Sequence, residues 1–365
     1  MNYAAKQGNL KTVEALVNAG ADVNAGWDRA SLTAPERSEF ERDPGTHGTW
    51  DPGTLVAFNS APLMDCVSSA VNATEADRAT IGEFSISASH PKEYAAVVAL
   101  LLRAGADVEC TGKGAMAAHG RTWPLYEAVG GSRRVGAFEH DQGRLETLQI
   151  VQSLIQAGAD VNRVIDAPKE EICTALLRSI WGRADIEFVE ALLDGGADPN
   201  KGHTCLLTRP AQLKHPNGVT PLQVAVMQCG KHRQPEDLNL LKVHKKQLGD
   251  TLSIVDALLR AGADPNAAPS INDFANPEMI THTRHELALT PLQIALGLRR
   301  GDCPVGLDCL ESDISTPRHR RRPNLQPRGH FISEVDQKEI VQMLLEAGAK
   351  VDLVSAAKIE RFEYG

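Results

Sequence analysis

Ile254-Val255-Asp256-Ala257-Leu258-Leu259-Arg260-Ala261-Gly262-Ala263-Asp264-Pro265-Asn266 decides how this chain folds. Val255, Leu258 and Leu259 fall three and four residues apart, which puts them on one face of a helix. Gly262 ends that helix, because a residue without a Cβ takes the left-handed conformation that closes off the last carbonyls. The same phrase recurs at 19–24, 104–109, 157–162, 195–200 and 347–352. Each copy follows an apolar stripe in the same register: Val13/Leu16/Val17, Val98/Leu101/Leu102, Val151/Leu154/Ile155, Val189/Leu192/Leu193 and Val341/Leu344/Leu345. Such self-similarity marks a repeat architecture, whose units bury their apolar faces only by stacking on neighbours.

A second phrase precedes five of the six stripes: Ala61-Pro62-Leu63, Trp123-Pro124-Leu125, Thr174-Ala175-Leu176, Thr220-Pro221-Leu222 and Thr290-Pro291-Leu292. Threonine before proline reads as a helix start, with the hydroxyl as N-cap and the ring in the first turn, where no amide hydrogen is needed. Four residues after each Pro or Ala stands a small residue, Cys66, Ala128, Ser179, Ala225 and Ala295, which lets helices approach closely. Two antiparallel helices joined by a turn, with an extended connector to the next pair, resemble the ankyrin repeat. TPLQVAV at 220–226 and IVDALLRAGADPN at 254–266 carry the resemblance. It implies an all-α solenoid of stacked helix pairs, with connectors projecting as fingers and first helices lining a concave face. It also implies a protein-binding role with no catalysis and no cofactor.

The expected organisation has eight parts. A truncated first repeat covers 1–24, and a long inserted finger with Trp27 and Trp50 covers 25–60. The second repeat, 61–109, holds an inserted inter-helix turn; the third and fourth cover 110–162 and 163–200. The fifth, 201–266, has an extended second helix, and the sixth, 267–352, carries a long basic and Cys/His-containing insert at 297–332. A C-terminal tail covers 353–365. The family period is about 33 residues, whereas Gly20, Gly105, Gly158, Gly196, Gly262 and Gly348 lie 85, 53, 38, 66 and 86 residues apart. Insertions of this size belong at the edges of a stack. Leu238, Leu241, Leu248, Leu252, Val255 and Leu259 predict one long helix from about Glu236 to Arg260, weakened at Gly249. The shortened first and last repeats leave two readings open, degenerate caps or a chain that is part of a longer protein.

Composition bounds the rest. Of 365 residues, 42% are hydrophobic and 23% charged, which describes a soluble globular chain. Aromatics at 4% leave the core to Ala, Leu, Val and Ile. The apolar stretch from Tyr94 to Leu102 is too short to cross a bilayer, and the N-terminus lacks the layout of a signal peptide. Seven cysteines without tight spacing fit a reducing compartment, so the expected location is the cytoplasm, with the nucleus as alternative. A net charge of −9 argues against nucleic acid as partner and leaves another protein.

Motifs with a chemical mechanism are few. Gly112-Lys113-Gly114 lacks the remainder of either nucleotide fingerprint, and His285-Glu286 lacks the second histidine of a zinc-protease helix. The recurring Asp22, Asp107, Asp160, Asp198 and Asp264 have a structural explanation in the turn after each helix. Cys303, Cys309, His319 and His330 supply zinc-ligand atom types, but gaps of five and ten residues depart from the close pairs that structural sites use. Arg318, Arg320, Arg321 and Arg322, with Arg328 beyond, form a basic run suited to import receptors or phosphates, or to a solvated loop. The ankyrin resemblance further implies that Asn24 and Asn162 stand in a setting where asparagines can be hydroxylated, although a structural role in the connector accounts for them as well.

The expected partner surface lies just after the small residue of each first helix and at the finger tips. There it includes Trp181, Arg183, Met227 and Gln228, with Lys201, His203, Lys214 and His215 on the fingers. Trp and Arg are the residue types that most often dominate interface energetics. Asp65, Glu127 and Arg178 stand where later repeats have Val224 and Ile294, so they are expected either to reach water in the groove or to be paired by an insert. Two other functions compete: a regulatory or targeting region of a larger enzyme or signalling protein, and an enzyme with its site in the inserts, which hold no motif with a mechanism.

Overall fold

The computed structural model describes residues 1–26, 61–73, 92–113, 121–135, 142–164, 174–182, 185–202, 220–229, 251–267, 289–297 and 334–364. They belong to two compact units, Met1–Val161 and Asn162–Gly365. Each unit is a stack of helix pairs, as the repeats predict, and the first also holds one short strand pair in a connector.

In the first unit the helices are α1 (Asn2–Lys6), α2 (Leu10–Asn18), α3 (Pro62–Asn72), α4 (Tyr94–Arg103), α5 (Pro124–Val135) and α6 (Gln142–Gln156). The first helices of the pairs pack side by side, α1 on α3 and α3 on α5, while α2, α4 and α6 form a second row. The aligned columns are spent between the rows: Leu63, Val67, Val98, Leu101, Leu125, Val129, Val151 and Leu154 are buried. Two short strands, β1 (Gly112–Lys113) and β2 (Arg121–Thr122), pair antiparallel in the connector between α4 and α5, with Gly112 opposite Thr122.

The second unit contains α7 (Ala175–Trp181), α8 (Ile186–Asp194), α9 (Pro221–Cys229), α10 (251–260), α11 (Pro291–Ala295), α12 (Glu334–Glu346) and α13 (Leu353–Tyr364). Helix α9 packs between α7 and α11, with α8 paired to α7 and α12 to α11. The region 353–365, expected as a tail, is helical over Leu353–Tyr364. Asp352 starts this helix, its Oδ1 accepting the Ser355 N–H at 2.6 Å and its carbonyl the Ala356 N–H at 2.9 Å. Of the long helix expected from Glu236, only 251–260 falls within the described residues; of the finger expected at 25–60 only residues 25–26 do, and of the insert at 297–332 only Gly297.

Local chemistry sets both ends of the helices. Thr174, Thr220 and Thr290 accept the backbone N–H three residues on, at 3.2, 3.2 and 3.3 Å, while Ala61 gives α3 no side-chain cap. At the other end the recurring glycines have φ between 78° and 90°. Gly196 N–H donates to Leu193 O and Ala197 N–H to Leu192 O, both at 2.9 Å, and the same two bonds close the other five phrases. The small residues Cys66, Ala128, Ser179, Ala225 and Ala295 are all buried where neighbouring helices meet.

Candidate partner-binding face

The turns that follow the second helices are tied to one another. Asn24 Nδ2 donates to Gly105 O at 3.0 Å, and its Oδ1 accepts the Asp107 N–H at 2.7 Å. In the second unit Asn162 does the same to Gly196 and Asp198, Asn200 to Gly262 and Asp264, and Asn266 to Gly348 and Lys350. Inside the turns, Asp22, Asp107, Asp198 and Asp264 each accept the N–H two residues on, at 2.8 to 2.9 Å. These aspartates and asparagines are structural. Lys201, expected at a finger tip, also serves the row, its Nζ donating to Asn162 O at 2.6 Å.

The first helices offer a different surface. Trp181 is the last residue of α7, and Met227 stands at the matching place in α9, each two residues beyond the small residue of its helix. The residues just before them, Ile180 and Val226, are buried, whereas Trp181 and Met227 are half-buried. The matching residue after α11 is Gly297, exposed and without a side chain. At this column the stack therefore passes from core to surface, and it does so with an indole and a thioether. Gln228 also lies in α9; Arg183, His203, Lys214 and His215 are outside the described residues. So are Cys303, Cys309, His319, His330, Arg318, Arg320, Arg321 and Arg322.

Of the two alternatives expected for the three charges, water in the groove does not hold for Glu127. Glu127 is fully buried and does not reach water in a groove. It stands at the place in α5 that Val224, also fully buried, holds in α9. Asp65 is half-buried and accepts a hydrogen bond from Asn2 Nδ2 at 3.1 Å, a partner that comes from α1. Arg178 is half-buried.

Reactive groups do not converge among the described residues. Burial pushes the Cys66 thiol far up, and the nearby Glu146 and Asp65 carboxylates add to the shift. Burial, reinforced by Asp107, pushes Cys110 up to about 12. Neither thiol is a nucleophile near neutral pH. Among the described residues no three His, Cys, Asp or Glu side chains are grouped so as to hold a metal, and no helix is long and apolar enough to cross a membrane.

The ankyrin-repeat family model matches residues 1–27. Residues 1–27 are thus similar to an ankyrin repeat. The match spans the first repeat, and the other five carry the same phrase and the same pair of hydrogen bonds at the capping glycine. A solved ankyrin repeat domain from Acinetobacter baumannii AYE resembles this chain at a TM-score of 0.46 and 17% identity, over 96% of this chain and 97% of that one. No curated protein matches the chain. Ankyrin repeats are in general modules for protein–protein interaction.

Two links between repeats were not anticipated from the sequence. Gln223 Nε2 donates to Leu289 O at 2.8 Å while its Oε1 accepts the Thr220 N–H at 2.9 Å. Gln293 repeats this with Asp352 Oδ2 and Thr290 N–H, at 2.7 and 3.0 Å. The signal was present, since a threonine followed three residues later by glutamine is a capping box. What the pattern does not say is that the amide's free end reaches the next repeat.

Proposed function

We propose that this ankyrin chain is a non-catalytic adaptor that binds a partner protein through the first-helix ends of its second unit, with Trp181 and Met227 at the centre. The observation that carries the reading is the half-buried Trp181–Met227 column, where an amphipathic aromatic and an adaptable thioether stand at the edge of a core built chiefly from aliphatic side chains. Turn-to-turn bonds support it, because a surface held rigid before binding loses less conformational entropy on docking. Arg183 and Gln228 flank the column in sequence and join the proposed surface, with His203, Lys214 and His215 on the adjoining finger. Free Cys66 and Cys110 support a reducing compartment, the cytoplasm or the nucleus.

Photo-crosslinking in cells tests this reading. A photoreactive residue substituted for Met227 is expected to capture one protein species, while the same residue substituted for the exposed Glu190 on α8 captures none. Equal capture from both positions, or capture from 190 alone, would place the interface elsewhere.

A further inference from the structure

At four steps of the row an asparagine ties one turn to the next. Asn24, Asn162, Asn200 and Asn266 each donate from Nδ2 to a glycine carbonyl of the following turn and accept, on Oδ1, the N–H two residues after that glycine. One carboxamide therefore fills a fixed backbone pair, an acceptor and a donor two residues apart. The turn at 19–24 carries the same pair in Gly20 O and Asp22 N–H. It is shaped like the others, with Gly20 at φ 78° and the same two closing bonds, Gly20 N–H to Val17 O and Ala21 N–H to Leu16 O. Among the described residues, however, neither Gly20 O nor Asp22 N–H has a partner.

A second, independent difference adjoins that turn. Leu101, Leu154, Leu192, Leu258 and Leu344 are fully buried, whereas Leu16, at the same place in α2, is half-buried, and Tyr3 of α1 is 69% exposed. Apolar area still open to water beside an unfilled hydrogen-bonding pair supplies both parts of a docking surface, desolvation for affinity and polar groups for register. We propose that this face of the first repeat is a further docking surface, separate from the Trp181–Met227 column, for a partner protein whose turn presents an asparagine side chain beside an apolar residue. The four filled steps show the chemistry that fits. A carboxamide donates and accepts at once, while a carboxylate only accepts, leaves Gly20 O unfilled and meets the exposed Asp22 carboxylate. The last turn of a second copy of this chain does not supply the group. Asp352 stands there in place of asparagine, with Oδ1 on the Ser355 N–H and Oδ2 on Gln293 Nε2.

Titration of the full chain, followed by nuclear magnetic resonance, tests the proposal with a synthetic peptide copying residues 186–201 as probe. Within the chain this segment places Asn200 on Gly262 O and the Asp264 N–H. The peptide is expected to shift the Asp22 amide resonance and to leave those of Asp107, Asp198, Asp264 and Lys350 in place, because these amides already donate to an asparagine. The same peptide with Asn200→Asp should bind about three- to tenfold more weakly, as the loss of one net hydrogen bond implies. No shift at Asp22 with the first peptide would overturn the proposal. So would equal affinity for the two peptides, or equal shifts at all five amides.

Discussion

Phe188→Ala is expected to lower the unfolding free energy of the second unit by about 3–5 kcal/mol, the usual range for truncating a buried aromatic. Phe188 lies on α8, is fully buried, and is the largest such side chain among the described residues. With aromatics at 4% of the chain, its neighbours are chiefly aliphatic, and an Ala there leaves a space that Leu176, Val189 and Leu192, fixed in their own columns, cannot fill by small shifts. Because repeats draw their stability from contacts with neighbours, the loss should reach beyond α7 and α8 to the repeat of α9. Urea unfolding followed by circular dichroism measures it. A loss under about 1 kcal/mol would mean that Phe188 is not a core residue.

Gln223→Leu should destabilise by about 3 kcal/mol, although the side chain keeps its approximate size. The substitution removes the bond to Leu289 O and the acceptor of the Thr220 N–H, and Gln223, Leu289 and Thr220 are all buried. Each polar group left unsatisfied in such a place costs about 1–3 kcal/mol. Gln293→Leu is the internal comparison. Its bonds are similar, but the site is half-buried, and water can take the place of the amide. The same unfolding measurement should therefore rank the Gln293 variant as clearly milder. Equal losses would show that burial of the amide does not set the magnitude.

Much of the fold was legible because it rests on short-range chemistry. The left-handed glycine after Leu192 or Leu258, the threonine cap before Pro221, and the small residue where helices touch are each fixed within a few positions of sequence. Relations between repeats were harder to read. Nothing local distinguishes the buried Glu127 from a groove-lining charge, since its burial is a property of the stack. Lys201 is expected on a finger of the partner surface, and the fold brings Asn162 O to its ammonium. The last helix was missed because Asp352 both ends the sixth copy of the phrase and caps α13. For the candidate face, the sequence singled out Trp181 and Met227 as aligned positions, and their partial exposure is a property of the stack, which a single repeat does not contain.

The measurement that bears most directly on the central claim is the affinity of the Trp181→Ala chain for the protein captured through position 227, taken alongside its thermal melt. A protein-binding face centred on Trp181 predicts a Kd raised about 30-fold, equivalent to about 2 kcal/mol, as expected for an interface hot spot, with helix content and melting midpoint unchanged. An unchanged Kd in a folded variant would contradict the claim, and a variant that unfolds would assign Trp181 to the core.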